Sequence, residues 1–255
     1  MNDANQVFED ELAAAIYDHF NPWSAGDDFY LELARAGGGA VLDLGCGTGL
    51  LACRIADEGL SVVGVDPAEG MLRIARARSG ADKVTWVKSE GQRLDLPQRF
   101  ALAYMTGHAL QALLTDEDVV TVLGNVERHL APGGKFAFET RNPLARAWLS
   151  WTPEKTRSVV DTPEHGRIEQ SFEAMADADT GIVSIAQHDR YLDTGVHRVG
   201  RSRIRFVSQA QVAELLSRSG LAPLAWYGGW DRRPFTPASR EIIVVAQGVQ
   251  TARAV

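Results

Sequence analysis

Two cysteines in 255 residues, Cys46 and Cys53, are too few for a disulfide framework, and their spacing fits no metal-ligand pattern. A reducing cytoplasm is the expected setting. No apolar run approaches the roughly 18 residues of a membrane-spanning helix. The polar, acidic start "MNDANQVFEDEL" does not read as a secretory signal. Cations are also in short supply. The 26 Lys and Arg against 33 Asp and Glu leave a formal charge of −7, which offers no general attraction to nucleic acid or to an anionic membrane. Low-complexity tracts and long linkers are missing too. What is present is ordinary for a globular chain, 45% hydrophobic and 23% charged, and long enough for one larger domain or a core with a sizeable insertion.

Residues 7–36 read as helical, in two pieces broken at "NPWSAGDD". From Ala40 short apolar runs alternate with amphipathic helical stretches: strands are expected at "AVLDL", "SVVGVD", "KVTWVK", "FALAYM" and "KFAFET". The clearest helix is 116–130, with Thr115 as its cap and "APGG" at its close. Such alternation implies a parallel sheet covered on both faces. After Pro143 the rhythm changes to three strand-like runs, 167–177, 181–191 and 196–206, joined by two Asp-Thr-Gly turns, so an inserted antiparallel meander is expected. Ser208 and Gln211 spell a capping box, and "LAPLAWYGGW" and "EIIVVAQ" suit a closing antiparallel pair.

The chemistry starts at "VLDLGCGTGL", residues 41–50. Glycines at the carboxyl end of a parallel strand, followed by a helix N-terminus, bring backbone amides close to a ligand. A dinucleotide site wants Gly-x-Gly-x-x-Gly, but here Leu50 stands where the third glycine is needed. Asp43 is awkward beside a pyrophosphate and suits a ligand with an ammonium group. The Asp-x-Gly-x-Gly-x-Gly turn resembles motif I of the class I S-adenosylmethionine-dependent methyltransferases. "VVGVDPAEGML" is similar to that family's second motif, and "LAPGGKFAF" to its Pro-Gly-Gly turn into the fifth strand. One departure is Phe100-Ala101, where the family often has Phe-Asp.

The resemblance implies an α/β fold: a doubly wound, Rossmann-like seven-stranded sheet with its last strand antiparallel, helices on both faces, and the inserted meander. It divides the chain into a helical cap (1–36), a cofactor-binding core (37–144), a β lid or oligomerisation segment (145–206) and a completing helix and strand pair (207–255). Gly45 and Gly47 are expected to let backbone approach S-adenosylmethionine while Asp43 orients its amino group. Asp66, about 20 residues beyond the turn, is placed for the ribose hydroxyls. Met71 matches a position beside the adenine. Glu90 and Gly91 are the candidates for a further adenine contact, with Asp95 competing. Cys46, Pro67 and Thr106 complete the expected cofactor set, and no metal is expected.

Methyl transfer from a sulfonium asks the protein mainly to hold and align the nucleophile, which can supply roughly 7–11 kcal/mol. A base is needed only where the nucleophile must lose a proton. His108 in "MTGHALQAL" would lie beside the methyl group, where an imidazole could take a proton from an amine, hydroxyl or carboxylic acid. In "ETRNP", Glu139, Arg141 and Asn142 are candidates for substrate polar groups, as is Tyr17 on the N-terminal helix. Arg201, Arg203 and Arg205 alternate along one strand face and would hold an anionic substrate or form a solvated outer face. Trp148, Trp151, Trp226 and Trp230 are expected mostly in the core. The leading expectation is methyl transfer to O or N of a small molecule, by a monomer or homodimer without nucleic-acid or membrane partners. An RNA or protein methyltransferase and a non-catalytic cofactor-binding domain are the alternatives. "MTGH" is not the Asn/Asp-Pro-Pro-Tyr/Phe sequence of adenine amino methylation, and no Pro-Cys pair offers a pyrimidine nucleophile.

Overall fold

The computed structural model describes residues 8–177 and 179–249. Residues 1–7 and 250–255, which the sequence assigns to the ends of the cap and of the closing segment, lie outside the described residues. The chain opens with α1 (Glu11–Phe20) and α2 (Ala25–Gly37). Asp10 caps α1, while Ser24 and Asp27 form a capping box that starts α2 inside the stretch read as a break. The alternating core follows: β1 (Val41–Leu44), α3 (Leu50–Asp57), β2 (Val62–Asp66), α4 (Glu69–Ala77), β3 (Val84–Lys88), β4 (Phe100–Met105), α5 (Asp116–His129) and β5 (Leu130–Arg141). Thr115 caps α5, and its first turn carries Asp116, Glu117 and Asp118, which favour the positive end of the helix dipole.

β10 (Leu221–Tyr227) and β11 (Glu241–Gly248), preceded by α7 (Gln209–Arg218), complete a seven-stranded sheet of order β10-β11-β5-β4-β1-β2-β3. β11 pairs antiparallel with both β5 and β10, so it alone runs against the other strands. The order reverses between β1 and β4, and an open parallel sheet has its crevice at that switch point, outside the carboxyl ends of the strands. Both faces are covered. Leu42, Leu44, Phe136 and Phe138 pack with Val122, Leu123 and Leu216 on one side. Val41, Tyr104 and Ile243 pack with Phe29, Tyr30 and Ile55 on the other. Each fully buried aliphatic or aromatic side chain of this kind contributes about 1.5–3 kcal/mol.

Between β5 and α7 lies a four-stranded antiparallel sheet after the short α6 (Pro153–Thr156): β6 (Ser158–Thr162), β7 (Gly166–Ala176), β8 (Ile182–Tyr191) and β9 (His197–Arg205). The sequence pointed to three strands here. The added strand, β6, is a five-residue edge joined to β7 by "PEH", which carries no Asp-Thr-Gly signal. A second difference is at "APGG", which does not end α5 but lies inside β5. The pairing with β4 steps there from Phe100↔Leu130 to Leu102↔Lys135. Val160, Ile168 and Tyr191 on one face of the meander pack against Leu12, Ile16 and Phe20 of α1. No helix among the described residues is long and apolar enough to cross a membrane.

Candidate active site

The turn after β1 is held from β2. Gly45 N and Cys46 N donate to the Val65 carbonyl at 2.7 and 3.1 Å. Gly47 N donates to Asp66 Oδ2 and Ala68 N to Asp66 Oδ1, both at 2.8 Å. Asp66 therefore braces the turn itself, and each of its oxygens keeps further acceptor capacity. Burial still raises its pKa against the pull of those two amides. The glycines differ in purpose. Gly47 has a φ of 52° and a Cβ there would meet nothing within 4 Å, so its backbone borders open space. At Gly49, with φ of 73°, a Cβ would stand 2.4 Å from the Trp86 ring, so this glycine serves helix-on-sheet packing.

Asp43 is the electrostatic centre. It is 1% exposed, and its Oδ1 has no hydrogen-bond partner. Tyr104, its register neighbour on β4, also has an unpartnered buried hydroxyl. Burial pushes the Asp43 carboxyl up to about 8, although the nearby Tyr104 hydroxyl pulls the other way. A buried acceptor left open costs about 1–3 kcal/mol. Free Cys46 is buried in the same turn, where burial and then Asp43 raise its thiol pKa well above the ordinary value.

α1 closes over this turn. Thr48 Oγ1 donates to Asp18 Oδ1 at 2.6 Å, Arg78 pairs with Asp18, and Arg78 Nε donates to the Thr48 carbonyl at 3.0 Å. This three-residue tie was not singled out in the sequence, because its members lie on three elements. It holds Tyr17 between the turn and the loop after β4: a Cβ at Gly107 would lie 3.9 Å from the Tyr17 hydroxyl. Burial, followed by Asp18 and Asp66, pushes Tyr17 up to about 12. Met71 is buried with Ala14, Ala68 and Tyr17, between α1 and α4. Pro67 is exposed, and Thr106 is half-buried with its carbonyl accepting from Ala109 N. Glu90 pairs with Arg93 at 3.6 Å. Gly91 lies against Val122 and Leu44, its carbonyl tied to Asn125. Asp95 is exposed.

At the other end, His108 occupies the left-handed region with φ of 60°, uncommon for a residue with a side chain. Its amide donates to Glu139 Oε1 at 2.7 Å, and its Nε2 lies 2.9 Å from Glu241 Oε2 at the start of β11. Glu139 is buried and also accepts from the Tyr30 hydroxyl; burial raises its pKa. Glu241 was not a candidate in the sequence. Its place opposite Arg141 follows only from the antiparallel β5–β11 register. Arg141 Nη1 donates to Gln111 Oε1 at 2.9 Å, and its guanidinium lies 5.2 Å from the Trp151 ring centroid.

Several substrate candidates have other work. The Asn142 amide donates to Pro237 O and Ser239 O and accepts from Leu144 N, so its side chain is committed to tying β5 to the loop before β11. Arg201 and Arg203 are exposed on the meander face shared with Met175, which is 74% exposed. Arg205 leaves that row and pairs with Asp116 at 2.7 Å. The tryptophans are partly buried, not sealed in the core: Trp148 and Trp151 gather on Phe206, Trp226 on the α5 side of the sheet, and Trp230 on Phe29 and Tyr30.

A doubly wound sheet with a glycine turn, a strand-end acid and an open buried carboxylate at its switch point defines a Rossmann-like class. Residues 41–134 match a family model described as a methyltransferase domain. Over 82% of this chain and 83% of its own length, the cypemycin N-terminal methyltransferase of Streptomyces sp is 25% identical. The chain spans about half the length of the first curated relatives it matches, 53% and 46%. Among solved structures, the CcbJ methyltransferase of Streptomyces caelestis superposes with a TM-score of 0.75 at 22% identity, over 90% of this chain and 98% of that one. The sugar N-methyltransferase KedS8 of Streptoalloteichus sp gives 0.66 at 15% identity, over 88% and 87%. Residues 41–134 are thus a methyltransferase domain, in a chain that shares the fold of these methyltransferases.

Proposed function

We infer that this protein transfers the methyl group of S-adenosylmethionine to a nitrogen or oxygen of a small molecule. The observation that carries this reading is Asp43: a buried carboxylate oxygen that no described residue satisfies, beside a backbone turn with open space at Gly47. The residues fit the group. Asp43 would accept from its ammonium, and Asp66 from its ribose hydroxyls with the acceptor capacity the two amides leave. Gly45, Cys46 and Gly47 would border it with backbone, Met71 and Pro67 would flank the base, and Glu90, Gly91 and Thr106 would line its edges. When bound, the group supplies an electrophilic methyl on a positively charged sulfur.

The acceptor's proton is the protein's task. Glu241 fixes the His108 imidazole from Nε2; with Nε2 donating, Nδ1 is left as an acceptor for a proton from an amine or hydroxyl. Tyr17, held by the α1 tie, would shape the acceptor's path. The name of the KedS8 structure, a sugar N-methyltransferase, supports a small-molecule acceptor and favours nitrogen. The cypemycin relative, named for an N terminus, favours a peptide amine as the second reading. The test follows the label from methyl-labelled S-adenosylmethionine incubated with the protein and a cell extract. Label in the small-molecule fraction, lost with Asp43→Asn, is expected; label in RNA or protein overturns the substrate class.

A further inference from the structure

The molecule carries one anion-binding expectation that moved. The sequence offered the alternating arginines of β9, but two of these are solvated on the outer face and the third is paired with Asp116. Arg141 presents the opposite situation. It stands at the carboxyl end of β5, where loss of water lowers its pKa. Its only side-chain hydrogen bond among the described residues is from Nη1 to Gln111, whose own Nε2 is fixed by the Arg205 carbonyl at 3.0 Å. Trp151 lies against its guanidinium, a favourable partner for a planar cation.

A desolvated cation normally recruits a carboxylate, and two are near. Both are otherwise engaged. Glu139 is sealed between the Tyr30 hydroxyl and the His108 amide, and Glu241 is drawn to His108. No described carboxylate forms an ion pair with Arg141, although Glu241 is its cross-strand neighbour. The guanidinium is thus oriented by Gln111 and Trp151, partly stripped of water, and left with N–H donors that no acceptor among the described residues takes. Its fork of donors matches the two oxygens of a carboxylate or phosphate. Glu241 is at once the hydrogen-bond partner of His108 and the cross-strand neighbour of Arg141, which sets the two residues at one end of the β5–β11 pair.

We propose that Arg141 anchors an anionic group, a carboxylate or a phosphate, of the molecule that receives the methyl. This rests on the proposed methyl transfer and adds the acceptor's charge: an amine or hydroxyl compound whose anion lies a short distance from the reacting atom. Arg203 takes no part.

The test uses the full chain saturated with S-adenosylhomocysteine and titrated with sodium benzoate or with inorganic phosphate, with sodium chloride of equal ionic strength as the blank. Calorimetry first measures S-adenosylhomocysteine alone, which reports on the cofactor reading independently. Binding of at least one anion is expected, weakened about tenfold or more in Arg141→Gln and less in Arg141→Lys, which keeps the charge but loses the fork. Gln111→Leu should weaken it by a smaller factor. Unchanged S-adenosylhomocysteine affinity in these variants certifies their fold. Stronger benzoate than phosphate binding would mark a carboxylate, and the reverse a phosphate. The inference is overturned if neither anion binds the parent, if Arg141→Gln binds as well as the parent, or if the loss appears in Arg203→Gln instead. If S-adenosylhomocysteine itself fails to bind, the cofactor reading falls while the anion titration still reports on Arg141.

Discussion

At the glycine turn, backbone does the holding: amides of Gly47 and Ala68 grip Asp66, and the Val65 carbonyl grips the amides of Gly45 and Cys46. At the His108 end, side chains hold one another across the sheet, with His108 on Glu241, Tyr30 on Glu139 and Arg141 on Gln111 and Trp151. The first region is one short stretch folded back on the next strand. The second gathers residues from α2, β5, β11 and two loops. A backbone-built site is fixed by conformation and is insensitive to most side-chain identities. A side-chain-built site can change its substrate without disturbing the fold, because its members are few and far apart in the chain.

That contrast can be broken most sharply at His108. His108→Ala should lower kcat by about 10²- to 10⁴-fold, the range for a positioned general base, while S-adenosylhomocysteine affinity holds. A calorimetric loss of that affinity with kcat preserved would move His108 to the cofactor end. Within the turn, Gly49→Ala should cost about 2–4 kcal/mol in urea unfolding, from the positive φ and the Trp86 collision together. Gly47→Ala should cost only about 1–2 kcal/mol, yet weaken S-adenosylhomocysteine about tenfold or more. Equal effects of the two on binding would remove the distinction drawn between them.

Asp43 gives an effect that depends on pH. Its pKa rises from 3.8 in the unfolded chain to about 8 when buried, so between these values the native protein holds a proton that the unfolded chain has released. Stability of the ligand-free protein therefore falls as pH rises through that window, by up to about 1.4 kcal/mol per pH unit. Asp43→Asn should flatten the slope in denaturation series from pH 5 to 8. The ligand's ammonium needs the charged carboxylate, so parent cofactor affinity should climb over the same range and the variant's should not. Smallest of all is Met175→Ser on the outer meander face: unfolding free energy within about 0.5 kcal/mol of the parent, with kinetics unchanged. A kinetic defect there would make that face part of the acceptor site.

The strand–helix alternation from Ala40 to Met105 was legible because each element carries its own signal, apolar runs for strands buried on both faces and glycines at their ends. β6 was not, since "SVVDT" is a short, half-exposed edge whose pairing with β7 rather than its own pattern makes it a strand. Gly45, Gly47 and Asp66 were legible as a set for the same reason of locality, and the structure adds that Asp66 braces the turn. His108 was legible by position, but its partner Glu241 lies 133 residues away. Asn142 looked like a substrate ligand because its amide suits one; only the fold revealed that Pro237 and Ser239 already occupy it.

By itself the sequence determined the doubly wound core and its glycine turn, because these depend on interactions between near neighbours in the chain. The tertiary structure decided which charges are spent and which are left open. Whether Arg141, Arg203 or Arg205 stands without a carboxylate depends on strand register and on water removed by distant elements. Coulomb interactions and desolvation act through space and take no account of sequence separation.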